Sequence, residues 1–181
     1  LAQLYRLSER AADFQACMQR IMQLKNPSVE QLNNVAAQLI DQAMFGDAEK
    51  YCQQALALGG DNGYVFCNLG LIAHARMHYE AAGEWFEKAL QLLPDSAQIL
   101  NNYSVTLRVQ GLLSKSLACL HQARANDPGF ISTFINLSNV YLDQGHVEAA
   151  IQELQKLLEI EPNNVLALKN MLYCDSYANM L

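Results

Sequence analysis

The sequence is poor in charged residues, which make up 17% of its 181 positions. Lys and Arg number 12 against 18 Asp and Glu, so the net charge is −6. Nucleic-acid binding depends on clustered basic side chains that neutralise phosphates. The acidic balance therefore predicts that nucleic acid is not the partner.

Long apolar runs are also missing: none approaches the roughly 20 residues that span a bilayer. This predicts no direct membrane insertion, and no signal peptide is visible at the start of the chain. The sequence begins at Leu1, inside a segment with helical periodicity, and we expect it to be a fragment of a longer protein.

Cysteine is used without any C-x-x-C pair, and the five residues are spread from Cys17 to Cys174. An odd, dispersed set is typical of reduced thiols in a core rather than of a disulfide scaffold or a metal site. We therefore expect a cytoplasmic protein with free thiols.

Motifs for catalysis are absent as well: there is no G-x-G-x-x-G, P-loop, H-E-x-x-H or G-x-S-x-G. His74 and His78 are four residues apart, but His78 falls in a predicted turn and no carboxylate or Cys completes a metal site. The sequence thus predicts no enzyme activity, no metal and no cofactor.

What the sequence does contain is a repeat of 34 residues, marked by Pro94, Pro128 and Pro162. The predicted organisation is a partial repeat at 1–28, full repeats at 29–62, 63–96, 97–130 and 131–164, and a terminal helix at 165–181. Positions are counted from the first residue of each repeat. Position eight is small in every full repeat (Ala36, Gly70, Ser104, Ser138), and so is position twenty (Ala48, Ala82, Ser116, Ala150). Apolar residues recur at three- and four-residue steps, so each half of a repeat is predicted to be a helix.

This pattern resembles the tetratricopeptide repeat. Repeat 63–96 has Leu69-Gly70 at positions seven and eight, Ala82 at twenty, Phe86 at twenty-four and Pro94 at thirty-two, as that family does. It departs from the family at position four, where no repeat has Trp. The resemblance implies an all-α fold, a right-handed α-solenoid of stacked antiparallel helix pairs, with first helices lining a concave surface.

Asparagine occupies position six five times, at Asn34, Asn68, Asn102, Asn136 and Asn170. An Asn side chain offers one acceptor and two donors, which match the groups of an extended peptide backbone. Similar ladders are found in the repeat arm of the O-linked N-acetylglucosamine transferases and in armadillo-type nuclear import receptors. The alternative is that these amides bond to the neighbouring repeat or face water. The candidate peptide-binding residues are these five with Asn33, Asn101, Asn139, Arg108 and His74.

The predicted function is a protein interaction scaffold that binds an extended peptide or partner segment in the concave groove. The alternative is a substrate-recognition arm of a larger enzyme, such as a glycosyltransferase, whose catalytic part lies outside this sequence. Few lining positions are charged, which argues against an adaptor for the acidic tails of chaperones. The last helix is apolar on several sides, so a following repeat, a partner or self-association would cover it.

Overall fold

The chain folds into consecutive helices joined by short turns. A computed structural model describes residues 27–59 and 61–178, without the side chains at 175, 177 and 178. The partial repeat predicted at 1–28 lies almost wholly outside these residues. The described part contains helices and no strand; the helices are α1 (Val29–Asp41), α2 (Phe45–Ala57), α3 (Gly63–Ala75), α4 (Tyr79–Leu92), α5 (Ala97–Val109), α6 (Leu113–Asn126), α7 (Ile131–Asp143), α8 (Val147–Ile160) and α9 (Val165–Ala178).

The odd-numbered helices, called first helices below, begin 34 residues apart. A polar residue just before the helix caps several of them. The hydroxyl of Ser28 accepts from the N–H of Gln31, whose side chain accepts in turn from the N–H of Ser28, a capping box. The Asn62 side chain accepts from the N–H of Tyr64 at the start of α3, and the Ser96 hydroxyl accepts from the N–H of Ile99 at the start of α5. These caps satisfy backbone donors that a helix start leaves unbonded, which stabilises the beginning of α1, α3 and α5.

Small residues let the two helices of a repeat cross closely, as the sequence predicts. Positions eight and twenty are buried in every full repeat. The Ser116 hydroxyl donates to the backbone carbonyl of Ser104 at 2.8 Å. A Cβ added to Gly70 would lie 2.9 Å from Cε1 of the buried Phe86 ring. The helices therefore meet at a separation that leaves no room for a larger residue.

The turn between the two helices of each repeat uses a left-handed residue at position fifteen. The φ angles are 58° at Ala43, 62° at Met77, 75° at Gly111 and 78° at Gly145. Glycine adopts this conformation without steric cost, whereas Ala and Met do not. Two of the four turns are therefore strained.

Contacts between repeats define the inner side of the solenoid. The first helices touch one another in series, α1 with α3, α3 with α5 and α5 with α7, and each second helix packs on the next first helix. Among the described helices, neighbouring second helices make no comparable contact with one another, so the first helices lie on the inner, concave side of the stack. The all-α solenoid predicted from the sequence is confirmed.

Candidate functional site

The concave face carries the position-six residues Asn34, Asn68, Asn102, Asn136 and Asn170, called the asparagine column below. The structure shows that the members of this column are not equivalent. The Asn68 amide donates to the Asn33 side-chain oxygen at 2.9 Å, and the Asn136 amide donates to the Asn101 side-chain oxygen at 2.9 Å. Each bond joins position six of one repeat to position five of the repeat before it. For these two pairs the arrangement is the inter-repeat bonding that the sequence left open as an alternative.

Burial separates these amides further. Asn68 and Asn101 are 7% and 5% exposed, so little of either side chain can meet a ligand. Asn33 and Asn136, their partners, are half-buried. A buried amide needs a hydrogen-bond partner, and each finds it in the adjacent repeat.

Two other members of the column lack such a strong acceptor. The residue available to Asn102 is Cys67, whose sulfur lies 3.7 Å from the amide nitrogen and is a weak acceptor. The residue at position five before Asn170 is Ile135, whose side chain cannot accept. In the part of the chain that the structure describes, the side-chain amide of Asn170 has no hydrogen-bond partner. Asn34 is exposed, and the repeat that would precede it lies outside the described residues.

An open cavity of about 430 Å³ lies where α5, α7 and α9 adjoin on the concave side. Its lining residues are Arg108, Asn139, Leu142, Asp143, Asn170 and Tyr173. Three of the predicted residues, Arg108, Asn139 and Asn170, thus come together here. Across residues 27–59 and 61–178, the Asn139 amide is also without a hydrogen-bond partner.

An ion pair crosses this cavity and ties α5 to α7. Nη1 of Arg108 lies 2.9 Å from Oδ2 of Asp143, and the two side chains are 31% and 41% exposed. Asp143, Leu142 and Tyr173 also line the cavity and were not among the candidate binding residues. Asp143 could have been found from the sequence, because it lies 35 residues after Arg108 and carries the opposite charge. The bonded asparagine pairs are also 35 residues apart.

His74, also predicted to bind, lies away from this cavity. Its Nδ1 is 2.9 Å from the hydroxyl of the buried Thr106, and its ring meets the edge of Tyr79 at a centroid distance of 5.3 Å. Burial lowers the pKa of His74 below its ordinary value, which favours the neutral ring at neutral pH. His78 precedes α4, and in the described residues no group of three His, Cys, Asp or Glu side chains could hold a metal ion.

The cysteines that the structure describes are core residues. Cys52, Cys67 and Cys174 are buried and Cys119 is half-buried. Burial raises the pKa of the Cys67 thiol to about 11, although the amide of Asn102 opposes this shift. Cys67 is therefore a neutral thiol at neutral pH, a poor nucleophile that serves as a small apolar residue.

A second cleft, of about 370 Å³, lies on the opposite side between α2, α3 and α4. Position eleven of repeat 63–96 is Ala73, whereas the other full repeats have Leu39, Leu107 and Tyr141 there. The small side chain contributes to an apolar hollow next to Trp85, which also stacks on Phe66 at 5.7 Å. This cleft was not predicted from the sequence.

Among the helices that the structure describes, none is both long and apolar enough to cross a bilayer.

Two family models, each described as "Tetratricopeptide repeat", match residues 38–97 and 132–164, together just over half of the chain. The chain is 25% identical over 122 residues to tetratricopeptide repeat domain-containing protein PYG7, chloroplastic, of Arabidopsis thaliana, covering 65% of this chain and 40% of that protein. It is 26% identical over 103 residues to human DnaJ homolog subfamily C member 7, covering 57% of this chain and 21% of that protein. The match therefore spans less than half the length of either relative.

Solved structures agree in fold. TTC0263, a thermophilic TPR protein of Thermus thermophilus, superimposes with a TM-score of 0.79 at 19% identity, over 99% of this chain and 95% of that one. YrrB superimposes with a TM-score of 0.65 at 21% identity, over 93% and 86% of the two chains. With its in-phase helix pairs, its buried small-residue columns and these matches, the chain belongs to the tetratricopeptide repeat family.

Proposed function

We propose that this chain is a protein interaction module that holds an extended segment of a partner along its concave face. The observation that carries the proposal is the pair Asn139 and Asn170. Both amides line an open cavity on the first helices, and neither has a partner among the described residues. An unbonded amide beside a cavity offers a donor and an acceptor to a peptide backbone.

Family membership supports this proposal at a coarser level, since solenoids of this kind present extended concave surfaces to protein partners. YrrB, one of the structures that share the fold, is described as having an unusual peptide-binding site. The likeness to the asparagine ladders of glycosyltransferase arms stays a prediction. So do the repeat boundaries and the cytoplasmic location expected from the sequence.

The test is a pull-down from lysate with the wild-type chain and with the double variant Asn139→Ala/Asn170→Ala, read by mass spectrometry. A matched control is Gln152→Ala/Gln155→Ala, which removes two exposed amides from α8, a second helix. We expect partners to be lost from the first variant and kept by the control, with both variants melting like the wild type in far-UV circular dichroism. Partners that survive in the folded Asn139/Asn170 variant would move binding off this cavity.

The substrate-recognition arm of a larger enzyme remains the alternative proposal, and it uses the same concave face. A catalytic domain encoded after residue 181 in the full reading frame would favour it. A reading frame without one would leave the interaction module alone.

We also propose that α9 mediates self-association. One observation favours it: several large apolar side chains of this helix are exposed, namely Val165, Leu166, Leu168, Leu172 and Tyr173. Apolar surface of this extent on one helix is typical of a contact region.

A further inference from the structure

We propose that the cavity between α5, α7 and α9 selects a carboxamide side chain, Gln or Asn, of the bound segment. This inference rests on the proposed function, because it assumes that a segment enters the concave groove. It goes further by assigning the cavity a preference among neutral, acidic and basic side chains.

The Arg108–Asp143 ion pair provides the first step. A guanidinium has five N–H donors and a carboxylate has two acceptor oxygens. The structure shows one contact between them, from Nη1 to Oδ2 at 2.9 Å. The pair therefore keeps N–H donors on one side and carboxylate acceptor capacity on the other, next to each other at the cavity wall.

A carboxamide is the complement of that arrangement. Its carbonyl oxygen accepts from an N–H of Arg108, and its NH₂ group donates to a carboxylate oxygen of Asp143. Asn139 and Asn170 add unbonded amides that can bond to the same group or to the adjacent backbone. One planar, neutral carboxamide can thus bond to donors and acceptors of the cavity wall that are otherwise open to solvent.

Charged side chains fit less well, because both charges of the pair are already balanced. A carboxylate placed against Arg108 would also meet Asp143, and an ammonium placed against Asp143 would also meet Arg108. The charged group of the bound side chain would lose solvent without gaining a full counter-charge, and this costs free energy. Lys169, the neighbouring cation on α9, is exposed and does not line the cavity.

The remaining walls suit the stem of such a side chain. Leu142 is half-buried and Tyr173 is exposed, and both border the cavity. The methylene groups of Gln can lie on Leu142 while the Tyr173 ring offers a flat face to the amide. The volume of about 430 Å³ is within the range of about 300–1,000 Å³ typical of ligand pockets and exceeds that of one side chain.

The test uses fluorescein-labelled nonapeptides in an Ala/Ser host with Gln, Glu, Lys or Leu at the central position, titrated with the whole chain and read by anisotropy. Gln and Glu have the same shape, so their ratio reports the charge preference alone. We expect the Gln peptide to bind at least about fivefold more tightly than the Glu and Lys peptides, since a charge-assisted hydrogen bond is lost or a charge left unbalanced. The Leu peptide, which makes no polar contact, should bind more weakly than Gln.

Two charge-neutralising variants sharpen the test. Asp143→Asn leaves Arg108 without its counter-charge, so the Glu peptide should become the tightest binder. Arg108→Gln leaves Asp143 alone, so the Lys peptide should become the tightest. Glu49→Gln removes the carboxylate of a similar ion pair, Glu49–Arg76 at 2.8 Å, that lies outside the cavity, and it should leave the order unchanged.

Equal affinities of the wild type for Gln, Glu and Lys peptides would overturn the inference, and so would an order that Asp143→Asn and Arg108→Gln leave unchanged. The wild type could bind the Gln, Glu and Lys peptides equally well while Asn139→Ala/Asn170→Ala abolishes the binding of all four peptides. In that case the proposed function stands and the proposed selectivity is wrong. If no peptide binds the wild type up to millimolar concentration, the selectivity falls, and the lysate pull-down decides the proposed function separately.

Discussion

Substitutions at position fifteen should change the stability of the fold in opposite directions in different repeats. Met77 has φ of 62° and its side chain is 72% exposed, so Met77→Gly removes strain while losing little packing. Gly111 occupies the equivalent site with φ of 75°, and a Cβ added there would meet nothing within 4 Å. Gly111→Ala therefore adds backbone strain and no clash.

The magnitude follows from two opposing terms. A non-glycine residue in the left-handed region costs about 1–2 kcal/mol, whereas glycine increases the conformational entropy of the unfolded chain by the equivalent of about 0.4–1 kcal/mol. The difference is a stabilisation of about 0.5–1 kcal/mol for Met77→Gly and a destabilisation of similar size for Gly111→Ala. For a chain of this length each kcal/mol corresponds to about 2–4 °C in melting temperature.

The assay is urea unfolding followed by far-UV circular dichroism, with thermal melts in parallel. Met77→Ala is the matched control, because it shortens the side chain but keeps the Cβ that causes the strain. It should not stabilise the protein. Strain at position fifteen is not the cause if Met77→Ala stabilises as much as Met77→Gly, or if Gly111→Ala leaves the urea midpoint unchanged.

Three further predictions concern packing, protonation and assembly. Gly70→Ala drives a Cβ against the buried Phe86 ring and should cost about 1–3 kcal/mol in a urea melt; an unchanged midpoint would mean that the ring can shift freely. Burial lowers the pKa of His74, so the unfolded chain takes up a proton more readily than the folded one. Stability should therefore fall as the pH drops below about 6.5. The loss of stability between pH 7.5 and 5, measured by urea melts, should be smaller in His74→Gln. Leu172→Lys should reduce any self-association seen by size-exclusion chromatography with light scattering; a wild type that is monomeric at high concentration would exclude this role of α9.

The fold could be predicted from the sequence because each column has one dominant physical constraint. Buried small residues such as Ala48 and Ser138 mark where helices cross, and apolar residues at helical steps, such as Phe134 and Leu137, mark the faces that pack. Both constraints are local or repeat every 34 residues, so a single sequence reveals them. The strain at Met77 was not visible in this way, because a non-glycine residue gives no sign that its φ is positive.

The site could be predicted only in part, since it depends on contacts between repeats. The asparagine column indicated the concave face, and the structure shows Asn170 and Asn139 at a cavity there. It did not indicate that Asn68 is buried and bonded to Asn33, because that depends on how closely α1 and α3 approach each other. The cleft beside Trp85 was missed for the same reason, as it forms between helices of two repeats.

Three contacts between repeats share one offset: Asn68 meets Asn33, Asn102 meets Cys67 and Asn136 meets Asn101, so position six lies against position five of the repeat before it, 35 residues earlier. Where position five is Asn, as at Asn33 and Asn101, the amide of the next repeat is used to join the two. Where it is Ile135, the next amide, at Asn170, has no bonding group to meet and remains available beside the cavity. The proposed binding site thus lies where the inter-repeat bonding of the asparagines ends. If the proposal holds, a substitution at position five, such as Ile135→Asn, should weaken binding by giving Asn170 an internal partner.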